Sequence, residues 1–411
     1  MNHTLRKDAE AMVREAIQAV CPDGAVCRAL ENVTLTENVY LVAVGKAAWQ
    51  MADAAVRQLG RPIRGGIVLT KYGHVMGKIP GITCLEAGHP VPDRNSFRGT
   101  EEILKLTAKL TTADTVLFLL SGGGSALFEK PLVPEEKLFA VTNHLLSCGA
   151  GIAEINAVRK RLSCVKGGSF ALWCAPAKIE SIILSDVLGD REDMIASGPA
   201  AADTVTTEQV MAIAEKYNLI DDEILPLLRQ ETPKVLTNVH SQVIGSVREL
   251  CRAAEKIAAQ YGYETHFLTD RLECEASEAG IWLANILKQH QDHHKAYAFI
   301  AGGETVVTLK GTGLGGRNQE LALSAAEILA DVPNSCIISA GSDGTDGPTD
   351  AAGGYVDSHT LYALKEKGIC LSEALENNDS YHALKAVDGL VVTGPTGTNV
   401  NDITIGLISV L

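Results

Sequence analysis

Apolar residues along this chain fall into two rhythms. Short, nearly unbroken runs bounded by glycine or polar residues predict buried strands: Asn38–Val44 (NVYLVAV), Gly66–Thr70 (GIVLT), Ile82–Glu86 and the run TVLFLL that closes at Leu120. Between them, apolar positions recurring at three- and four-residue spacing predict helices over Ala47–Leu59 and Phe97–Leu110, the latter with Ile103, Leu104, Leu106 and Leu110 on one face. Further helices are predicted around 135–147 and 152–163, followed by the strand KIESIILSDV. Near Asn238 the alternation starts again. HSQVIG reads as a strand, Ser246–Tyr261 as a helix, ETHFLTD as a strand and Ala276–His290 as a helix. AYAFIAGGETVVTL gives one or two strands, and a helix over Asn318–Ala330 leads into the strand CIISAG.

Strand–helix alternation at this spacing predicts an α/β chain of two domains, each a mostly parallel sheet flanked by helices, the N-terminal one Rossmann-like. The expected division is 1–235 and 236–411, with the tail 390–411 free to pair with either sheet. A length of 411 residues agrees with two domains, because one hydrophobic core rarely serves so long a chain. There is no internal repeat.

Net charge is −14, which argues against a nucleic-acid groove or an anionic membrane surface as the main partner. It also means that any anionic ligand must be met by local donors against an unfavourable overall field. No apolar run approaches the roughly 20 residues that span a bilayer, and the N-terminal segment lacks the apolar stretch of a signal peptide. The ten cysteines include no Cys-x-x-Cys pair and lie mostly in apolar runs. They read as reduced core thiols of a cytoplasmic protein, with a disulfide framework as the weaker reading.

In doubly wound sheets ligands bind beyond the carboxyl ends of the strands, so residues that follow strands carry the chemistry. Ser121-Gly122-Gly123-Gly124-Ser125 follows the most apolar strand. Three adjacent glycines are costly to order, yet they let successive main-chain N–H groups approach an anion, and Ser121 and Ser125 add hydroxyls. A tight strand–helix connection is the competing reading. No Gly-x-x-x-x-Gly-Lys-Ser/Thr loop occurs, so a nucleotide would be held by other means. Lys46, at the end of NVYLVAV, is a cation aimed at the same region or a lysine reaching to solvent.

Gly311–Gly316 matches Gly-x-Gly-x-x-Gly, but Arg317 follows at once and no acid stands about twenty residues on to hold a ribose. A glycine-rich loop ending in arginine suits phosphate or carboxylate instead, or Arg317 pairs with Glu320 or Asp343. The acids Asp186, Asp190, Glu304, Asp343, Asp346 and Asp350 are candidates for a Mg²⁺ site, most of them expected to be turn caps. His290, His293 and His294 read as a polar helix end rather than a metal site. His89 follows a strand.

LLSGGGSALF, SDVLGD and GGETVVTLKGTGLGGRNQELAL followed by SAGSDGTDGPTDAAGG resemble the glycerate 2-kinase family with a C-terminal MOFRL domain, across essentially the whole chain. Some members bear the name hydroxypyruvate reductase. The resemblance implies a two-domain α/β enzyme with its site in the interdomain cleft. It would transfer the γ-phosphoryl group of ATP to the 2-hydroxyl of D-glycerate with Mg²⁺ as cofactor. It places the cleft lysine at Lys46 and the cleft arginine at Arg317; the residues themselves add Asp186 as a catalytic acid and Asp190 as a metal-binding carboxylate, with Mg²⁺ open to Asp186 or Asp190. The nucleotide would be bound by Ser121, Gly122, Gly123, Gly124, Ser125, Glu304 and Asp343. A homodimer stays open, and an NAD(P)H-dependent hydroxypyruvate reductase is the alternative reading.

Overall fold

A computed structural model describes residues 3–219, 221–291 and 295–410; His293 and His294 lie outside the described residues. The chain divides into two compact units, Pro22–Ile244 and Met1–Cys21 with Gly245–Leu411.

The unit Pro22–Ile244 is built on β1 (Asn38–Val44), β2 (Gly65–Lys71), β3 (Ile82–Ala87), β4 (Asp114–Ser121), β5 (Lys178–Leu184) and β6 (Val239–Gly245). Their order is β3-β2-β1-β4-β5-β6, the strand order of a doubly wound dinucleotide-binding sheet. The pairings from β3 across to β5 are parallel. Such a sheet is covered on both faces, so its central strands read as continuous apolar runs; every residue of β4 is buried. Phe118 packs with Phe128 and Phe170 at the centre of the core. A second apolar cluster, including Leu138, Leu145, Val158, Val210 and Leu228, joins the helices Glu135–Ser147, Ile152–Arg161 and Thr207–Lys216.

The other unit holds β7 (Glu264–Leu272), β8 (Tyr297–Gly303), β9 (Ser335–Gly341), β10 (Gly353–Asp357), β11 (Leu390–Val391) and β12 (Asp402–Ile408), in the order β11-β10-β9-β12-β8-β7. Here the expectation of a mostly parallel sheet is corrected. Only β7 and β8 run parallel, while β12 lies antiparallel to both β8 and β9, and β10 antiparallel to β9 and β11. Alternation implies parallel pairing only when a helix crosses over between strands. The loop 342–352 between β9 and β10 contains no helix, and β12 enters the sheet between strands that end where it begins. The tail thus belongs to this sheet, through both β11 and β12.

A division at 235 would detach β6, which lies beside β5 in the first sheet. The helix His3–Ala19 packs on the helix Val247–Gln260, which is why the first residues of the chain group with its last.

Candidate active site

In the first unit the strand order reverses between β1 and β4, and the residues that follow these strands are brought side by side. The Lys46 N–H donates to the Gly122 carbonyl at 2.9 Å, and the Ala47 N–H donates to Ser121 Oγ at 3.1 Å. Gly45 has φ 123°, and a Cβ there would lie 2.2 Å from Ser121 Oγ, so only glycine permits this approach. Gly122 meets Asp186, which follows β5: a Cβ on Gly122 would stand 2.1 Å from Asp186 Oδ2. Gly123, at φ 85°, faces His89 and the Lys46 side chain, its added Cβ falling 3.0 Å from His89 Cδ2 and 3.1 Å from Lys46 Cγ. Lys46, His89, Asp186 and the triglycine turn therefore form one cluster at the carboxyl ends of the strands.

Electrostatics there are cationic. Burial lowers the His89 pKa below its ordinary value, and the charges of Lys46, Lys71 and His74 lower it further, so His89 is neutral at pH 7. Among the described residues the Lys46 ammonium has no hydrogen-bond or ion-pair partner. The His74 ring meets the Lys46 carbonyl through Nδ1 at 2.9 Å. Both loop hydroxyls are engaged within the unit: Ser121 Oγ accepts from Ala47, and Ser125 Oγ shares a 3.0 Å hydrogen bond with Ser197 Oγ. What the loop presents is thus main-chain N–H. The short helix Gly124–Leu127 that continues the turn has Gly123 at its N-cap and no side-chain cap. Asp190 sits at φ 53° with Oδ1 buried and without a hydrogen-bond partner.

In the second unit Arg317 opens the helix Arg317–Ser324 and is held by three oxygens. Asp402 accepts from Nε at 2.5 Å and from Nη2 at 3.0 Å, and Glu304 accepts from Nη1 at 2.9 Å. Asn401 Nδ2 donates to the other Glu304 oxygen at 3.0 Å. The partners named from sequence are not the ones found. Glu320 accepts from Asn378, and Asp343 closes its own turn by accepting the Thr345 N–H and hydroxyl, both at 3.0 Å. Asp350 accepts from the Tyr381 hydroxyl, and Asp346 caps the helix of Arg317. Burial pushes Asp402 up to about 6 even though Arg317 pulls it down, and burial likewise raises Asp346.

The glycines of 311–316 serve close packing. A Cβ at Gly311 or Gly313 would strike the Asn377 backbone, at Gly315 the Ser380 hydroxyl, and at Gly316 the Asp346 carboxylate. No strand runs directly into this loop, since β8 ends at Gly303 and Val306 makes only an isolated bridge with Glu275. Sequence reading missed Asp402, which the antiparallel register sets beside Gly303 and Gly341, and Asn401, which directly precedes it. It also missed Lys71 and His74, for which the end of the GIVLT strand was the available signal.

Two six-stranded sheets, one of them doubly wound with a glycine turn and a lysine at its switch point, define a two-unit α/β protein. Residues 8–229 match the domain of unknown function DUF4147, and residues 297–402 match the MOFRL family. The chain is 52% identical to the D-glycerate 2-kinase of Thermotoga maritima, over 98% of this chain and 99% of that protein. A crystal structure of glycerate kinase from Thermotoga maritima superimposes with a TM-score of 0.95 at 51% identity, covering 99% of this chain and all of that one. A protein of Agrobacterium vitis with a provisional hydroxypyruvate reductase name is 38% identical over 93% of this chain and 91% of its own length. The chain belongs to the glycerate 2-kinase family with a C-terminal MOFRL domain.

Proposed function

We propose that this protein transfers the γ-phosphoryl group of ATP to the 2-hydroxyl of D-glycerate, giving 2-phosphoglycerate and ADP. The observation that carries the reading is the convergence of the unpaired Lys46, the neutral His89 and the triglycine turn at the strand ends of a chain whose net charge is −14. Phosphoryl transfer asks a protein mainly for positioning and for stabilisation of charge on the transferred oxygens. The main-chain N–H groups of Gly122, Gly123 and Gly124 hold phosphate oxygens, Lys46 is the cation that offsets charge on the transferred group, and Arg317 is proposed as a second catalytic cation. Asp186 orients the glycerate hydroxyl and receives its proton.

Mg²⁺ is part of the proposal. Among the described residues no group of three or more metal-ligating side chains is gathered, but Mg²⁺ commonly takes only one or two carboxylates and keeps water and phosphate for the rest. The unsatisfied Asp190 Oδ1 and the neighbouring Asp186 segment fit that demand. Mg²⁺ would neutralise nucleotide phosphate charge there. We also propose that the site lies in the cytoplasm; no described helix is long and apolar enough to cross a membrane. Reduction of hydroxypyruvate gains nothing from the Gly-x-Gly-x-x-Gly run, because its glycines are accounted for by packing against 377–380 and Asp346.

The test is ³¹P NMR of the purified protein with ATP, Mg²⁺ and D-glycerate. The expected result is 2-phosphoglycerate appearing with ADP, one for one, and a loss of turnover of well over tenfold in Arg317→Ala. Oxidation of NAD(P)H by hydroxypyruvate without ATP, and no phosphorylated product, would overturn the reading.

A further inference from the structure

Beneath the triglycine turn lies a set of charges that the reaction as described does not use. Lys166 and Glu129 have no side-chain exposure, and Arg159 has 13%. The Lys166 ammonium donates to the carbonyls of Ser125 and Phe128, at 2.9 and 2.8 Å, and stands 3.3 Å from Glu129 Oε2. Arg159 Nη2 donates to the same Ser125 carbonyl at 3.1 Å and to the same Glu129 oxygen at 3.2 Å. Glu129 Oε1 is buried with no hydrogen-bond partner. Two cations against one carboxylate leave a net positive charge in a buried place, which is expensive unless it does something for the structure around it.

What it does is readable from the oxygens it holds. Ser125 is the second residue of the single-turn helix Gly124–Leu127 and Phe128 its C-cap, and so short a helix leaves both carbonyls without a donor of its own. One turn of helix is unstable alone, because its nucleus fixes several residues for one hydrogen bond. Cations at its last carbonyls are the favourable arrangement for a helix terminus. Ser125 is fixed a second time through its hydroxyl, by Ser197, which in turn donates to Asn156 Oδ1 at 3.2 Å. Gly122 and Gly123, which precede this turn, and Gly124, which opens it, have no side chains with which to hold their own path. Their conformation is set from the helix that follows them and from the strand that precedes them.

We propose that Lys166, with Arg159 and Glu129, is the positioning group of the triglycine turn, and that it governs nucleotide affinity through the Ser125 and Phe128 carbonyls. The inference rests on the reading of that turn as the phosphate-binding loop. Burial also pushes the Lys166 ammonium down to about 8, which agrees with a cation kept for its hydrogen bonds rather than for solvation.

The experiment compares the full-length wild type with Glu129→Gln/Lys166→Met, which removes the ammonium from both carbonyls together with the carboxylate and leaves the slightly exposed Arg159 as the one charge of the three. Steady-state KM for ATP, KM for D-glycerate and kcat are measured, with calorimetric ADP binding and circular dichroism alongside. The expected result is a rise of roughly tenfold or more in KM for ATP and in the ADP dissociation constant, with KM for D-glycerate within about twofold. A folded double variant with unchanged ATP and ADP affinity overturns the proposal, and so does a fall confined to kcat. If the double variant does not fold, Arg159→Gln carries the test under the same criterion. Gly123→Ala, which alters the turn itself, separates the two levels. If it raises KM for ATP and the clamp variants do not, only the positioning role is lost. If it too leaves KM for ATP unchanged, the phosphate-binding reading of the turn falls and takes the inference with it.

Discussion

The guanidinium of Arg317 shows how much one residue depends on partners far away in sequence. Asp402 grips it through two nitrogens and Glu304 through the third, a planar fork that a lysine would not reproduce. The grip is sensitive to acid, because burial raises the Asp402 pKa to about 6. As pH falls through that value Asp402 takes up a proton, loses its charge, and weakens two of the three hydrogen bonds that orient Arg317. The sign for stability is opposite. A carboxyl whose folded pKa lies above its unfolded value near 4 contributes stability that is complete at low pH and is lost as pH rises through about 6. Acidification from pH 7 to 5 should therefore lower kcat/KM, with an apparent pKa near 6, while this group does not lower the melting temperature. In Asp402→Asn that limb should be gone, at a lower plateau of activity. A pH–rate profile of the variant that still bends near 6 would remove Asp402 from the explanation. Arg317 and Glu304 were each legible in the sequence as charged residues in a glycine-rich setting, but their pairing was not, since Glu320 and Asp343 stood as the expected partners. Asp402 was not, since nothing local tells that the tail reaches this place.

At the scale of elements, the helix Arg317–Ser324 starts on Gly316, which has no side chain to cap it. Its first N–H groups are satisfied from another loop. Asp346 Oδ1 accepts the Asn318 N–H at 3.1 Å, Oδ2 accepts the Gln319 N–H at 2.9 Å, and both side-chain amides add further bonds. Asp346 is buried, so each donor it leaves behind would be unsatisfied. Asp346→Ala should cost about 2–4 kcal/mol, more than an exposed cap, because several buried donors lose their partner together. Urea denaturation measures it, and a cost below about 1 kcal/mol would show that the N–H groups find other acceptors. The same geometry tells why the Gly-x-Gly-x-x-Gly run misleads. Its spacing fits a dinucleotide loop, but these glycines are there to let Asp346, Asn377 and Ser380 come close. Strands with strong apolar runs, such as β1, β4 and β9, were plain in the sequence because burial on both faces leaves no other composition. Strand β10 (GGYVD) was not, since it is short and opens on two glycines, and its burial comes from neighbours that local pattern does not reveal.

At the scale of the whole molecule, alternation of strands and helices gave two α/β units, but neither their edges nor the direction of the second sheet. Periodicity reports which face of a segment is buried and not what buries it. The N-terminal helix is the clearest instance. Ala9, Met12 and Ala16 have no exposure, and Leu5, Val13 and Ile17 have very little. This face packs on the helix Val247–Gln260 and on β9 and β12, while Arg6 lies over the Tyr355 ring at 5.3 Å. The first residues of the chain thus complete a core whose remainder is made more than two hundred residues later. Deleting the Met12 side chain beyond Cβ should cost about 2–5 kcal/mol, as for other buried large-to-small changes. The loss should fall on the unit that contains Gly245–Leu411, although the substitution is made at the opposite end of the sequence. Limited proteolysis of full-length Met12→Ala reads this directly, because cleavage follows the population of locally opened chain. New cuts should appear within 245–411 while 22–244 persists as a resistant fragment. First cuts within 22–244 would place the helix in the other core and refute the division of the chain described above.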